Sequence, residues 1–209
     1  MQPIASPVRQ GLADYLRQHI HPGGIIVSQR YRFIYMKACR TGGTSILRRT
    51  LEQMPLDTFH FKDHRQRFSF WLDTITDEDL LNYQIFTFVR NPWDRTVSIA
   101  CYFEIPLLRF LRNYRNLVAE NQLLRQHSLP CHLYSHNRDR PFVDVIGSFE
   151  QIQQDFQSIC QLLDIRPPKR LVRSNQSQRT AYTDYFDTES KSAVANIYRK
   201  DIELFGYEF

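Results

Sequence analysis

Short apolar runs alternate with longer amphipathic stretches along this chain, the pattern of a sheet wrapped by helices. The runs at 31–36 (YRFIYM) and 85–89 (IFTFV) are too short for helices and rich in aromatic and β-branched residues, so they predict buried strands. Weaker strand signals lie at 25–27, 58–61 and 142–146, the last closed by a turn at Gly147-Ser148. Helical periodicity follows each strong strand, up to Met54 in the first case and from Asn91-Pro92 in the second, where Asn is a preferred N-cap and Pro suits the first helical position. Further helices are expected at 11–20, within 69–82, at 107–126 and at 149–163. In the last of these Phe149, Ile152, Phe156, Ile159, Leu162 and Leu163 form one core-facing stripe. A final helix is expected at 187–204, ended by Gly206. The expectation is a single α/β domain over 29–209, a central parallel sheet flanked by helices, with residues 1–28 as an N-terminal appendage.

Candidate chemistry sits where the two strong strands end. The first is followed by Lys37-Ala38-Cys39-Arg40-Thr41-Gly42-Gly43-Thr44-Ser45. Its two glycines permit a tight turn that brings backbone N–H groups to an anion at a helix N-terminus. It is not a Walker A loop, because no GxxxxGK[ST] spacing occurs. The second strand ends in Arg90, and Asp94, Arg95 and Ser98 follow at helical spacing, so Arg90 and Ser98 are placed to face one pocket. A guanidinium and a hydroxyl beside helix N-terminal amides form a place to hold a phosphate. In an open α/β sheet, ligands bind at this carboxyl edge of the strands.

These two stretches together resemble the cofactor sites of the sulfotransferases that use 3′-phosphoadenosine 5′-phosphosulfate (PAPS), in their carbohydrate branch (heparan- and chondroitin-sulfotransferase-like). KACRTGGTSI resembles the 5′-phosphosulfate loop, usually Pro-Lys-x-Gly-x-Thr-Ser, and FVRNPWDRTVS is similar to the 3′-phosphate element. Three later stretches look like the family's closing segments: VDVIGSFEQIQQDFQSICQLLDI, NQSQRTAYTDYFD and IYRKDIELFGYEF. The resemblance implies a P-loop-like sheet and transfer of a sulfuryl group from PAPS to a hydroxyl of an acceptor, most closely a carbohydrate, with no metal. It implies cofactor contacts from Arg40, Thr41, Gly42, Gly43, Thr44 and Ser45 at the 5′ end and from Arg90 and Ser98 at the 3′-phosphate. Ser177, Arg179 and Tyr182 resemble the loop that folds over the nucleotide. Arg40 stands where the family usually carries a catalytic lysine, and Lys37, three residues upstream, is a second candidate for that cation. In several relatives a histidine between the two cofactor motifs deprotonates the acceptor; His64 matches that position, His60 less closely.

Composition narrows the picture modestly. With 209 residues, 42% hydrophobic and 23% charged, the chain has enough apolar material for one sizeable core. The net charge of +5 suits an anionic ligand. No basic run interleaved with aromatics marks a nucleic-acid binder. Arg109, Arg112, Arg115 and Arg125 form either a basic wall for an anionic glycan or a solvated helix face. Cys39, Cys101, Cys131 and Cys160 show no paired framework, and no run reaches membrane-spanning length, so a cytoplasmic protein is expected. His132 and His136, with Cys131, have finger-like spacing but lack a second ligand pair, so they are read as part of an acceptor-side loop. Two other classes stay open: a non-catalytic module binding the same nucleotide, and a phosphotransferase using ATP.

Overall fold

The computed structural model describes residues 2–3, 12–13, 16, 24–53, 58–61, 72–171 and 179–209. Its centre is a six-stranded sheet formed by β1 (Gln2–Pro3), β2 (Ile25–Ser28), β3 (Phe33–Met36), β4 (Thr58–Phe61), β5 (Gln84–Val89) and β8 (Val145–Ser148), in the order β1-β8-β5-β3-β2-β4. The short strands β6 (His136–Asn137) and β7 (Arg140–Pro141) pair separately, and helix α2 (Asp77–Leu81) leads into β5. The strands β3, β5 and β8 are mutually parallel, whereas β2 pairs antiparallel with both β3 and β4, and β1 antiparallel with β8. Residues 1–28, set apart by their sequence, thus contribute β1, β2 and the buried Leu12 and Leu16 to the same body.

Both sheet faces are buried, which explains why β3 and β5 read as continuous apolar runs rather than as alternation. On one face Ile26, Phe33, Tyr35, Phe86, Phe88 and Val145 pack under α1 (Gly43–Gln53) and α7 (Ile152–Leu162). Tyr35 stacks on Phe86 at 4.9 Å, and Phe88 meets both rings edge-on. The other face, with Ile25, Val27, Ile34, Met36, Ile85 and Ile146, is covered by Leu12, Leu16, Cys131, Tyr134, Phe142 and Val143. A third cluster joins α3 (Pro92–Tyr102), α4 (Leu107–Arg112) and α6 (Gln122–Ser128) to α8 (Thr188–Ile197) through Trp93, Ile99, Phe110, Leu124, Val194 and Tyr198.

Three departures from the sequence reading have local causes. The expected helix at 107–126 is three short helices, α4, α5 (Tyr114–Glu120) and α6, interrupted at Asn113 and Asn121; the Asn121 side chain accepts from the Leu124 amide at 2.9 Å and restarts the chain as an N-cap. The helix at 187–204 divides at Tyr198, whose hydroxyl donates to the Ser128 carbonyl at 3.0 Å; the second piece, α9 (Arg199–Phe205), ends on Gly206 in the left-handed region, as expected. Gly147-Ser148 is not a turn but the end of β8. Glycine is required there by packing: a Cβ at Gly147 would lie 2.5 Å from the Phe88 ring. Gly147→Ala is expected to destabilise the fold by about 1–3 kcal/mol, the usual cost of overpacking, read as a lower urea midpoint with unchanged slope.

Candidate functional site

The loop after β3 and the turn after β5 meet at the carboxyl ends of these two adjacent parallel strands. They open into a cleft of about 1260 Å³. Lys37, Arg40, Gly42, Gly43, Thr44, Ser45, Arg90, Ser98, Arg179 and Tyr182 all line it. Thr41 does not: it is fully buried, and its hydroxyl donates to the Ala38 carbonyl at 2.9 Å, bracing the loop from within. His64 and Ser177 lie outside the described residues. His60 is on β4, at the edge of the sheet, paired with Ile26.

The loop geometry follows from its glycines and its one strained arginine. Gly42 has φ +80, and a Cβ there would meet the Ile152 side chain at 2.3 Å, so neither conformation nor space admits another residue. The Ser45 and Ile46 amides turn back onto the Gly42 carbonyl at 3.0 and 3.4 Å. Among the described residues this leaves the Gly43 and Thr44 amides at the start of α1 without a backbone acceptor, the arrangement that binds anions. Arg40 holds φ +64, a left-handed conformation that costs a non-glycine residue roughly 1–2 kcal/mol.

The second motif is ordered by its cap. The Asn91 side chain accepts from the Trp93 and Asp94 amides at 3.0 and 3.3 Å, with Pro92 opening α3. That places Asp94, Ser98 and Tyr102 one turn apart on the cleft side of the helix. Arg90 Nε donates to Asp94 at 2.7 Å and its Nη1 to the Arg40 carbonyl at 2.9 Å, while the guanidinium lies 3.9 Å over the Phe149 ring. Arg179 pairs with the other oxygen of Asp94. Arg40 directs both Nε and Nη2 to the Ser98 hydroxyl, at 3.1 and 2.8 Å, and lies over Tyr102. Burial, and then the neighbouring Arg90 charge, lowers the Arg40 pKa; burial also lowers that of Arg90, against the pull of Asp94.

A model of the sulfotransferase family matches residues 24–208, which spans both motifs and the closing segments. The chain belongs to the sulfotransferase family. This sulfotransferase is also 26% identical, over 100 residues, to a protein of Archaeoglobus fulgidus described only as uncharacterized; the match covers 48% of this chain and 82% of the relative. No solved structure matches.

Several residues line the sulfotransferase cleft that the sequence does not place there. Tyr102 was findable, because it continues the four-residue spacing of Arg90, Asp94 and Ser98. Phe149, expected on the core-facing stripe of the 149–163 helix, instead follows the third parallel strand into the cleft and lies under Arg90. His127 carries no local signal; it comes from the end of α6 and stacks on Tyr102 at 4.9 Å. Burial, followed by the charges of Arg40, Arg95 and Lys37, brings its pKa down to about 4, and its Nδ1 is buried without a partner among the described residues. His132 and His136 serve elsewhere. His132 Nδ1 pairs with Asp201 at 2.6 Å and His136 Nδ1 with the Ser135 hydroxyl at 2.7 Å, and no group of metal-ligating side chains occurs among the described residues. No helix among the described residues is long and apolar enough to cross a membrane.

Proposed function

We propose that this sulfotransferase takes PAPS as its donor and transfers the sulfuryl group to a hydroxyl of a carbohydrate acceptor. The observation that carries this reading is the convergence of two anion-binding sets in one cleft. One set is the Gly43 and Thr44 amides with Lys37; the other is Arg90, Ser98, Arg40 and Arg179. A nucleotide with phosphates at both its 3′ and 5′ positions uses both sets, whereas AMP or ATP uses one. The donor, when bound, supplies a sulfuryl group on a 5′-phosphate that leaves with added negative charge. The amides at the start of α1 and a cation beside them stabilise that charge where it develops, the kind of preorganised stabilisation that dominates such reactions. His64 is proposed as the base that takes the acceptor proton. The volume of the cleft exceeds that of common small-ligand sites, leaving room for part of an acceptor beside the nucleotide.

The test is selective stabilisation. Adenosine 3′,5′-bisphosphate, the donor's product, is expected to raise the melting temperature well above the shifts given by AMP or ATP. At a hundredfold excess over its dissociation constant it contributes about 2.7 kcal/mol. Equal shifts with ATP would overturn the donor assignment. Incubation with labelled donor and an acceptor panel, read by mass spectrometry, then identifies the hydroxyl.

A further inference from the structure

The nucleotide reading above leaves open which cation serves which phosphate, and the geometry divides them. We propose that Arg40 is a 3′-phosphate ligand acting with Arg90, Arg179 and Ser98, and that Lys37 is the cation for the 5′ leaving group, at the N-terminus of α1. The proposal rests on the donor assignment and refines it.

Arg40 is already committed to the 3′ end. Two of its nitrogens reach the Ser98 hydroxyl, and its own carbonyl accepts from Arg90 at 2.9 Å, so side chain and backbone both face the second motif. Arg40 on Ser98, and Arg90 and Arg179 on Asp94 one helical turn away, bring three guanidiniums together, with the carboxylates of Asp94 and Glu150 against them. Glu150 accepts from the Asn91 amide at 2.7 Å and from the Tyr207 hydroxyl at 3.3 Å, and its charge still reaches Arg90. Three positive charges less two leaves a net positive charge in a largely buried place, which favours an anionic phosphate. Nη1 of Arg179 is buried without a partner among the described residues, a donor left for such an anion.

Lys37 is placed at the other end. Its methylenes lie across the first residue of α1, for a Cβ on Gly43 would come within 2.7 Å of Lys37 Cγ and 2.9 Å of Cε. That contact explains the glycine at this position: any side chain would displace the lysine stem. The first turn of α1 carries no acidic residue to oppose an anion. In the transfer, the acceptor oxygen bonds to sulfur, the bond from sulfur to the 5′-phosphate oxygen breaks, and the electron pair stays on that oxygen. The acceptor proton passes to the base. Lys37 and the Gly43 and Thr44 amides meet the charge left on the phosphate, and the arginine standing in the usual lysine place serves the opposite phosphate.

Calorimetric titration of the full chain with adenosine 3′,5′-bisphosphate and with AMP separates the two roles. Wild type is expected to prefer the bisphosphate. Arg40→Ala should weaken the bisphosphate by roughly tenfold to a hundredfold, the loss of a charged hydrogen-bonding partner, and leave AMP within about threefold on the same scale. Arg40→Lys, which keeps the charge but not the two-nitrogen contact, should fall between. Lys37→Ala should weaken both ligands by a similar factor and preserve their ratio. Unliganded melting of each variant checks that it folds; an unfolded Arg40→Ala leaves the decision to Arg40→Lys. If Arg40 substitution weakens AMP as much as the bisphosphate, or Lys37→Ala spares AMP, the division is wrong although the donor reading stands. If wild type does not distinguish the two ligands, both fall together.

Discussion

Arg95→Leu is expected to cost the folded state about 3–5 kcal/mol, the range for breaking a buried charged network. Arg95 is 1% exposed, and its guanidinium holds three carbonyls from two segments, Cys39 at 3.1 Å in the loop after β3 and His127 at 2.9 Å and Leu129 at 2.5 Å at the end of α6. Leucine fills the volume but leaves all three acceptors buried and unsatisfied, at roughly 1–3 kcal/mol each. Two terms reduce the sum. The isolated cation no longer has to be desolvated, and the one Arg95 nitrogen that lacks a partner among the described residues disappears with it. Urea unfolding of wild type and variant measures the difference. A loss below about 1 kcal/mol would mean that the three carbonyls find other donors. Because Cys39 immediately precedes Arg40, the same change should also loosen the loop after β3 and weaken the bisphosphate.

The strand–turn–helix units were legible because their signals are local. The aromatic and β-branched content of 31–36 and 85–89, the Asn91 cap and the Gly42-Gly43 pair each fix geometry within a few residues. The convergence of Arg90 and Ser98 on one cleft followed from helical spacing alone. Part of what sequence did not reveal depends on long-range contact. The antiparallel insertion of β2 between β3 and β4 is set by pairing partners, not by its own four residues. The breaks at Asn113, Asn121 and Tyr198 interrupt segments whose helix propensity reads as continuous, because a cap or a buried hydroxyl outweighs a few tenths of a kcal/mol per residue. The hydroxyl of Thr41 braces the loop on the Ala38 carbonyl, a role its motif does not show; the contact expected of Thr41 is through its backbone amide. His127 reaches the cleft only because Arg95 and the Tyr102 ring bring the end of α6 beside α3.

The dependence of turnover on pH should test whether a histidine takes the acceptor proton, and which one. If His64 or His60 serves with an ordinary imidazole pKa near 6.5, activity at saturating donor should be lost as pH falls through that value, since a base must be deprotonated to act. His127, the histidine lining the cleft among the described residues, is held at about 4 by burial and by Arg40, Arg95 and Lys37, so a reaction relying on it would stay level well below pH 6. A limb near 6.5 together with a loss of about 10²–10⁴-fold in turnover for His64→Ala, at nearly unchanged bisphosphate affinity, supports His64. The same loss in His60→Ala instead moves the role to β4. A limb near 4, abolished by His127→Gln, would transfer it to the end of α6. The His127 shift also predicts a stability signature that needs no acceptor. Its folded pKa lies below the unfolded value, so the unfolded chain binds the proton more readily. Its contribution is therefore complete above about pH 6.5 and declines as pH falls toward 4. His127→Gln should flatten the melting temperature of the free protein across that window, whichever histidine proves to be the base.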